Sequence, residues 1–431
     1  MAIGFTRRHL LGGIAVLGAA ALTGCGANNG SPGSGSGTNL RFAWWGNDVR
    51  MKLTREALDL FEAANPGVKV AGESGSFDSY FEKLATQVAG NDAPDVFQMN
   101  EWTLREYADR GALLDLGAHG FSDADWPEGA NGTGVVNGTT YGGTAGVGLQ
   151  AVMVNPKFFE DAKVDIPDDT SWTWQDFHQV AAELTHKSPD GAYGTSFGGG
   201  DQITSTYFLG QLGTALFAGD EVRATGAELG QWFDLWKGMV DDKTLPGAAQ
   251  IAEQSALPAE QQPFSQGKIG MQVIPANTVV QSEKSVGHEL RLLRIPTLTG
   301  KKADLGMWYR ASLLFCASAR TRSADQAGAL VNYLLNTTEA GQVLLADRGV
   351  PANTKVLAAV TEKLTPVDRR VVDYLEACRE DLVPAPEPPP AGAGTWPKIL
   401  GRAAEDVIFG RSSSVDAATA ALDELKGGMK K

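Results

Sequence analysis

Residues 39–50 read NLRFAWWGNDVR: a short apolar run ending in two adjacent tryptophans, broken at once by Gly-Asn-Asp. In an extended chain successive side chains point to opposite faces. Leu40, Phe42 and Trp44 therefore share one face, and Ala43 and Trp45 the other. Both faces are apolar, which places the strand inside a sheet covered by helices on both sides. Trp44, in phase with Leu40 and Phe42, belongs with the core. Trp45, at the C-terminal end of the strand, is the better candidate for stacking on a ligand.

Outward from this strand the same alternation continues. A helix is predicted from about Asp48, with Leu53, Ala57, Leu60, Phe61 and Ala64 as its buried stripe and Asn65-Pro66-Gly67 as its stop. VKVAG is a second short strand, and a helix carrying Tyr80, Phe81, Leu84 and Val88 follows. PDVFQM is a third strand, Asn100 an N-cap, and Gly111 the end of the next helix. Strand, helix, strand, helix in this order predicts an α/β protein with a parallel sheet. Asn137-Gly138 between β-formers predicts a tight hairpin.

LQAVMVN then opens a second α/β unit. Thr173, with Asp176 three positions on, predicts a capped helix. Further helices are expected around residues 203–217 and 229–240, the second with Trp232 and Trp236 on a continuous buried stripe. GKIGMQVIP and ASLLFCAS are strands, and the last third is mostly helical. The Pro-rich residues 383–397 interrupt it and read as a surface loop or an extended brace.

Residues 1–24 have the form of an export signal: Arg7-Arg8, then a short run of Leu, Ile, Val, Ala and Gly. The run is too short to be read as a membrane span. It ends in Leu22-Thr23-Gly24-Cys25, which resembles a lipobox with Cys25 as the lipid acceptor, and the arginine pair resembles a twin-arginine signal. Residues 25–38, lipidated Cys25 with a Gly- and Ser-rich stretch, read as a flexible tether spanning roughly 20 Å. Arg7 and Arg8 are the only charged residues in the signal, so its removal takes the formal charge from −14 to −16. So acidic a body is a poor partner for nucleic acid, which needs clustered Lys and Arg. Beyond Cys25 only Cys316 and Cys378 remain, both in apolar patterns and read as buried thiols. Five scattered histidines give no metal-ligand spacing, and no cofactor is implied.

WWGNDVR, FEAANPGVKV, KLATQVAGNDAPDVFQM, YADRGALLDL, SWTWQDF, FSQGKIGM and LLADRGVPAN occur in this order behind the lipobox. Together they resemble the carbohydrate-binding extracellular solute-binding lipoproteins of bacterial ABC importers, the maltose-binding-protein-like family. The resemblance covers most of the chain after the signal. It implies an α/β, two-lobed periplasmic-binding-protein-like fold, each lobe a mainly parallel sheet flanked by helices. Residues 39–148 and 313–349 would form the first lobe, and 149–312 and 350–431 the second. Hinge crossings would fall near 146–150, 311–314 and 348–351, and ligand would be gripped between the lobes. It also implies membrane permease subunits as partners, a lipid anchor at the extracytoplasmic face, and no catalysis. Where relatives often have Gly-Val-Asn, Ser-Asn-Gln and Lys-Pro-Ser, this chain has Gly146-Val147-Gly148, Ala276-Asn277-Thr278 and Arg310-Ala311-Ser312, which leaves the ligand's identity open.

Sugars present C–H faces and hydroxyl edges, so their sites need flat aromatic surfaces with planar polar groups. Ligands of α/β lobes lie at the C-terminal ends of strands. That rule selects Trp45, Asn47 and Asp48 after the first strand, Asn100, Glu101 and Trp102 after the third, and Asn277 in the second lobe. Trp308, Tyr309, Arg310 and Ser312 adjoin a hinge crossing, and Asp201 and Gln202 follow three glycines. Asn47, Asp48 and Asn100 would serve equally well as helix caps, and Glu101 as a favourable charge at a helix N-terminus. Three other functions fit the residues: a glycosidase drawing on Asp48, Asp95, Glu101 or Asp201; a binding protein for a polyol, peptide or organic acid, whose anion would call on Arg310; and a lipoprotein whose pocket has lost transport and serves sensing or adhesion.

Overall fold

The computed structural model describes residues 37–429; the expected signal, Cys25 and most of the tether lie outside the described residues. β1 (Thr38–Trp45) leads into α1 (Asp48–Ala64), whose N-terminus Asn47 caps by accepting the Arg50 N–H at 3.0 Å. β2 (Val68–Gly75), α2 (Phe77–Ala89), β3 (Val96–Met99) and α3 (Glu101–Asp109) continue the alternation. The hairpin of β4 (Val135–Val136) and β5 (Thr139–Thr140) turns through Asn137 and Gly138, both at positive φ (49° and 75°). Asn-Gly favours that turn because both central residues must be left-handed.

β6 (Gly142–Thr144), β7 (Val147–Gly148) and β8 (Gln150–Val154) follow in quick succession. α4 (Pro156–Ala162), α5 (Trp174–Lys187), β9 (Tyr193–Thr195) and α6 (Gln202–Gln211) come next, with the Thr173/Asp176 capping box formed. α6 stops at Gln211, short of the expected 217, because Gly213 turns left-handed (φ 77°) and a small hairpin begins. That hairpin pairs β10 (Phe217–Ala218) with β11 (Glu221–Val222). α7 (Gly226–Asp241), α8 (Ala248–Ser255), β12 (Ile269–Pro275), α9 (Val279–Val286) and β13 (Arg291–Leu293) complete this half. β14 (Arg310–Ala311), β15 (Leu314–Ala317), α10 (Ala324–Asn336) and α11 (Thr338–Leu344) lie beyond. The described chain ends with α12 (Thr354–Val360), α13 (Pro366–Cys378), α14 (Trp396–Ile408) and α15 (Ser414–Met429).

Two main sheets result, ordered β2-β1-β3-β15-β6 and β13-β8-β12-β9, with the two-stranded ribbon β14-β7 between them in the chain's path. In each sheet one strand runs against all the others: β15 in the first, β8 in the second. These are the strands that follow directly from the ribbon. A strand entering from the hinge must start where its neighbours end.

The opening stretch behaves as its alternation requires. Leu40, Phe42 and Trp44 pack with Ala57, Leu58 and Phe61 of α1, while Ala43 on the other face packs with Tyr80 and Leu84 of α2. The second layer is built around indoles: Trp172, Trp174, Trp232, Trp236 and Trp396 are all buried in one cluster, and Trp232 Nε1 donates to the Gly199 carbonyl at 2.8 Å. Cys316 and Cys378 are buried free thiols. Among the described residues no helix is long and apolar enough to cross a membrane.

At the hinge, the Val147 N–H donates to the Val350 carbonyl and the Ser312 N–H to the Gly146 carbonyl, each at 2.8 Å. All three crossing segments thus meet. Residues beyond 350, expected in the second lobe, first form α12, which packs on α11 and donates from the Thr354 N–H to the Asp125 carbonyl at 3.1 Å. The chain joins the second sheet only at α13, against α9 and β13.

A Cβ on Gly146 would stand 2.1 Å from the Arg348 carbonyl oxygen and 2.7 Å from Gly349 Cα, both backbone. Gly146→Ala should therefore cost about 1–3 kcal/mol through overpacking, read as a lower urea midpoint at unchanged slope. Glu62 ties α1 to β2, accepting from Arg55 Nη2 (2.7 Å), Lys69 Nζ (2.8 Å) and the Val70 N–H (3.0 Å). Burial alone would raise its pKa, but these donors outweigh it and hold the carboxyl at about 2. A depressed carboxyl stabilises the fold above its unfolded pKa, and this is lost as pH falls through the folded value. Glu62→Gln should thus lower the urea midpoint at neutral pH, with the gap to wild type closing between pH 4.5 and about 2.

Candidate functional site

Asn100 ends β3 and caps α3, its side chain accepting the Thr103 N–H at 3.0 Å. The cap fixes Glu101 and Trp102 in the first turn, where the positive end of the helix dipole favours the carboxylate. Opposite, Asp201 caps α6 by accepting from the Ile203 and Thr204 N–H groups at 3.1 and 2.6 Å. Helical spacing then puts Ile203, Thr206 and Gly210 on one face. All three line a cavity of about 440 Å³ together with Glu101 and Trp102.

Trp308 and Arg310, from the approach to β14 and from β14 itself, line the same space. Trp308 stands edge-on against Tyr207, with ring centroids 4.5 Å apart at 86°. Two further pieces close the rim. One is the β10–β11 hairpin, through Phe217 and Gly219; the other is the Pro-rich segment, through Val383, Pro384, Pro386, Glu387, Pro388 and Pro389. The segment is pinned at both ends: the Val383 N–H donates to the Met307 carbonyl at 2.8 Å, and Glu387 Oε1 accepts the Asn137 N–H at 3.3 Å. Prolines suit this wall because they carry no N–H to orphan against an apolar space. Arg105, buried on α3, reaches both rim pieces, pairing with Asp220 of the hairpin and lying 3.6 Å from Glu387.

The polar centre is an ion pair. Arg310 Nε donates to Glu101 Oε1 at 2.8 Å, and its Nη2 donates to the same oxygen. Glu101 Oε2 is buried without a protein partner, and so is the Tyr207 hydroxyl. An unpartnered buried polar atom costs roughly 1–3 kcal/mol, which a donor reaching Glu101 Oε2 would recover; Tyr207 does not line the cavity. Burial pushes the Tyr207 pKa up, Arg310 pulling against it, and the phenol stays neutral. Burial also opposes the charge on Arg310, but Glu101 outweighs it and the guanidinium is held charged.

Of the residues named from sequence, Glu101, Trp102, Trp308 and Arg310 meet around this cavity. Asn47 and Asn100 are caps, and Asp48 is exposed in the first turn of α1. Trp45 does not line the cavity; it packs edge-on against Phe77 and Tyr80 and beside Phe81, at 5.2–5.6 Å. Asp201 caps α6, and Gln202 accepts from Ser205 and Thr206 hydroxyls through its carbonyl. Asn277 is exposed in a single turn after β12. Tyr309 faces the core, where burial pushes its pKa up to about 12. The Ser312 hydroxyl donates to the Arg348 carbonyl in the hinge. Sequence reasoning missed Thr133, Thr206 and the Pro-rich wall. The 203/206/210 spacing was a usable signal for the second; the wall had none, since its partners are distant in the chain.

Two sheets joined through a crossing ribbon, with a cavity where their capped helices converge, define a two-lobed binding protein. Residues 46–340, more than half of the chain, match the bacterial extracellular solute-binding protein family, and the chain belongs to that family. A lipoprotein of Streptomyces antibioticus, itself uncharacterized, is 32% identical over 215 residues, covering 48% of this chain and 44% of that protein. The chain spans about half the length of the curated relatives it matches. An ABC substrate-binding protein of Listeria monocytogenes, solved in complex with cycloalternan, superposes with a TM-score of 0.73 at 22% identity, over 91% of this chain and 99% of that one. A periplasmic oligogalacturonide-binding protein from Yersinia enterocolitica gives 0.76 at 20%, over 91% and 100%. At these identities the likeness is one of fold.

Removing one member of a buried ion pair strands the other, at about 3–5 kcal/mol. Arg310→Met should show a loss of that size in urea denaturation. The double variant Glu101→Gln/Arg310→Met should recover most of it, since removing both charges leaves none uncompensated.

Proposed function

We propose that this protein is the ligand-capturing component of an ABC importer, holding a sugar or short oligosaccharide between its two layers and delivering it to a membrane permease. In this reading residues 39–148 and 313–349 act as one jaw, and 149–312 with the C-terminal helices as the other. Cys25 carries the lipid that tethers the protein at the extracytoplasmic face. The observation that carries the proposal is the pairing of Trp102 and Trp308 on the walls of one cavity beside a buried carboxylate oxygen that lacks a partner. Indole faces suit the C–H faces of a pyranose, and a carboxylate oxygen suits its hydroxyl edge. Closure of the layers around the guest would complete the surface that a permease reads.

A glycosidase is less well supported. Of Asp48, Asp95, Glu101 and Asp201, only Glu101 lines the cavity, and its Oε1 is held by Arg310. Asp95 accepts the Arg41 N–H and the Thr321 hydroxyl, and Asp201 caps α6. The acid–base pair that such chemistry requires is not assembled from them.

A broad panel of oligosaccharides should contain at least one member that shifts the intrinsic tryptophan fluorescence and raises the melting temperature, with a Kd near the micromolar range, about −8 kcal/mol. For that sugar Trp102→Ala and Trp308→Ala should each weaken binding roughly tenfold by isothermal titration calorimetry, the scale of a lost aromatic contact. Silence across the whole panel would overturn the reading.

A further inference from the structure

Among the described residues that line the cavity, the charged groups are Glu101, Glu387 and Arg310: two carboxylates against one guanidinium. Arg310 does not face a ligand as a lone cation, because two of its three nitrogens donate to Glu101 Oε1 and the carboxylate offsets its charge. The nearby cation behind the rim, Arg105, is committed to Asp220, Glu387 and Asp109. Asp201 also acts on Arg310, adding negative rather than positive charge to its surroundings. The group left unpaired beside the cavity is an acceptor, Glu101 Oε2, buried and without a partner. An acceptor of this kind welcomes a hydroxyl and repels a carboxylate or phosphate.

We infer that the cleft selects an uncharged, hydroxyl-bearing ligand over its anionic counterpart, and that Glu101 sets this selectivity by occupying Arg310. The inference rests on the sugar-binding reading above and narrows it. One oxygen of Glu101 holds two of the guanidinium's nitrogens and offsets its charge, which weakens its hold on an anion. Its second oxygen, on the same first turn of α3, has no partner in the protein and would take a hydroxyl donor from the guest. With an amide at position 101 the guanidinium would be held only weakly. It would regain the planar, paired donors that grip carboxylates.

The test uses matched pairs: short neutral oligomers of glucose and of galactose beside the corresponding oligomers of glucuronic and galacturonic acid. They are titrated into the wild-type protein by calorimetry and checked by thermal shift. The wild type should bind at least one neutral oligomer and its acid counterpart roughly tenfold to a hundredfold more weakly, the scale of one charged hydrogen bond. In Glu101→Gln the neutral sugar should weaken and the acid of the same backbone should gain by a similar factor; in Glu101→Gln/Arg310→Met that gain should vanish. Wild-type protein that takes an acid oligomer as tightly as its neutral partner would overturn this inference and leave the sugar-binding reading standing. A folded Glu101→Gln protein that gains nothing for the acid would do the same. If Glu101→Gln does not fold, Glu101→Asp, which keeps the charge but shortens its reach, should narrow the discrimination, and an unchanged ratio would overturn the role of Glu101. If the wild type binds no oligomer of either kind, the sugar-binding reading falls, and this inference with it.

Discussion

The contact of Gly146 with the backbone of Arg348 and Gly349 is the constraint on which the architecture turns. Three segments cross between the layers, and they do so within hydrogen-bonding distance of one another: Gly146 with Ser312, Val147 with Val350. So close an approach leaves no volume for a side chain. Its effect is to set the β7–β14 ribbon between the layers and, through it, to deliver Arg310 to Glu101. The same geometry reverses β8 and β15 within their sheets, because each starts where its neighbours end. Fold and site are in this sense one consequence: the strands converge toward the crossing, and their caps and first turns make the cavity.

Around that centre the rim is assembled from parts far apart in the chain. The β10–β11 hairpin comes from one layer, the Pro-rich segment from the C-terminal third, and both answer to Arg105 on α3. A buried guanidinium with several carboxylate partners is well suited to this, since its planar fork can serve more than one at once. Asp220 and Glu387 keep solvent contact, so the cost of desolvation falls mainly on the arginine. That arrangement binds the rim without sealing a large block of charge in the interior.

Much of the scaffold was legible from local pattern. Residues 39–50 announce a strand buried on both faces, and Leu40, Phe42, Trp44 and Ala43 pack accordingly. Caps at Asn47, Asn100 and Thr173 mark helix starts to the residue, because a cap is a local hydrogen bond between near neighbours; Asp201, read as a ligand contact, is a fourth. The stripe of α7 puts Trp232 and Trp236 in the core for the same reason. The site was legible only in part. Glu101, Trp102, Trp308 and Arg310 follow from strand ends and hinge adjacency, but Trp45 turned into an aromatic cluster with Phe77 and Phe81 that no local rule foretells. The Pro-rich wall and the late return of the chain at α13 depend on contacts between segments far apart in the chain, which periodicity does not register.

The wall at 383–389 has a consequence for how such a binder changes its diet over evolutionary time. It is fastened near its ends and contributes no strand to either sheet. Insertions, deletions and swaps there can recut the outline of the chamber while every ladder pairing of the two sheets stays intact. The load-carrying frame and the surface that chooses the cargo are thus separable, and lineages can retool the second without rebuilding the first.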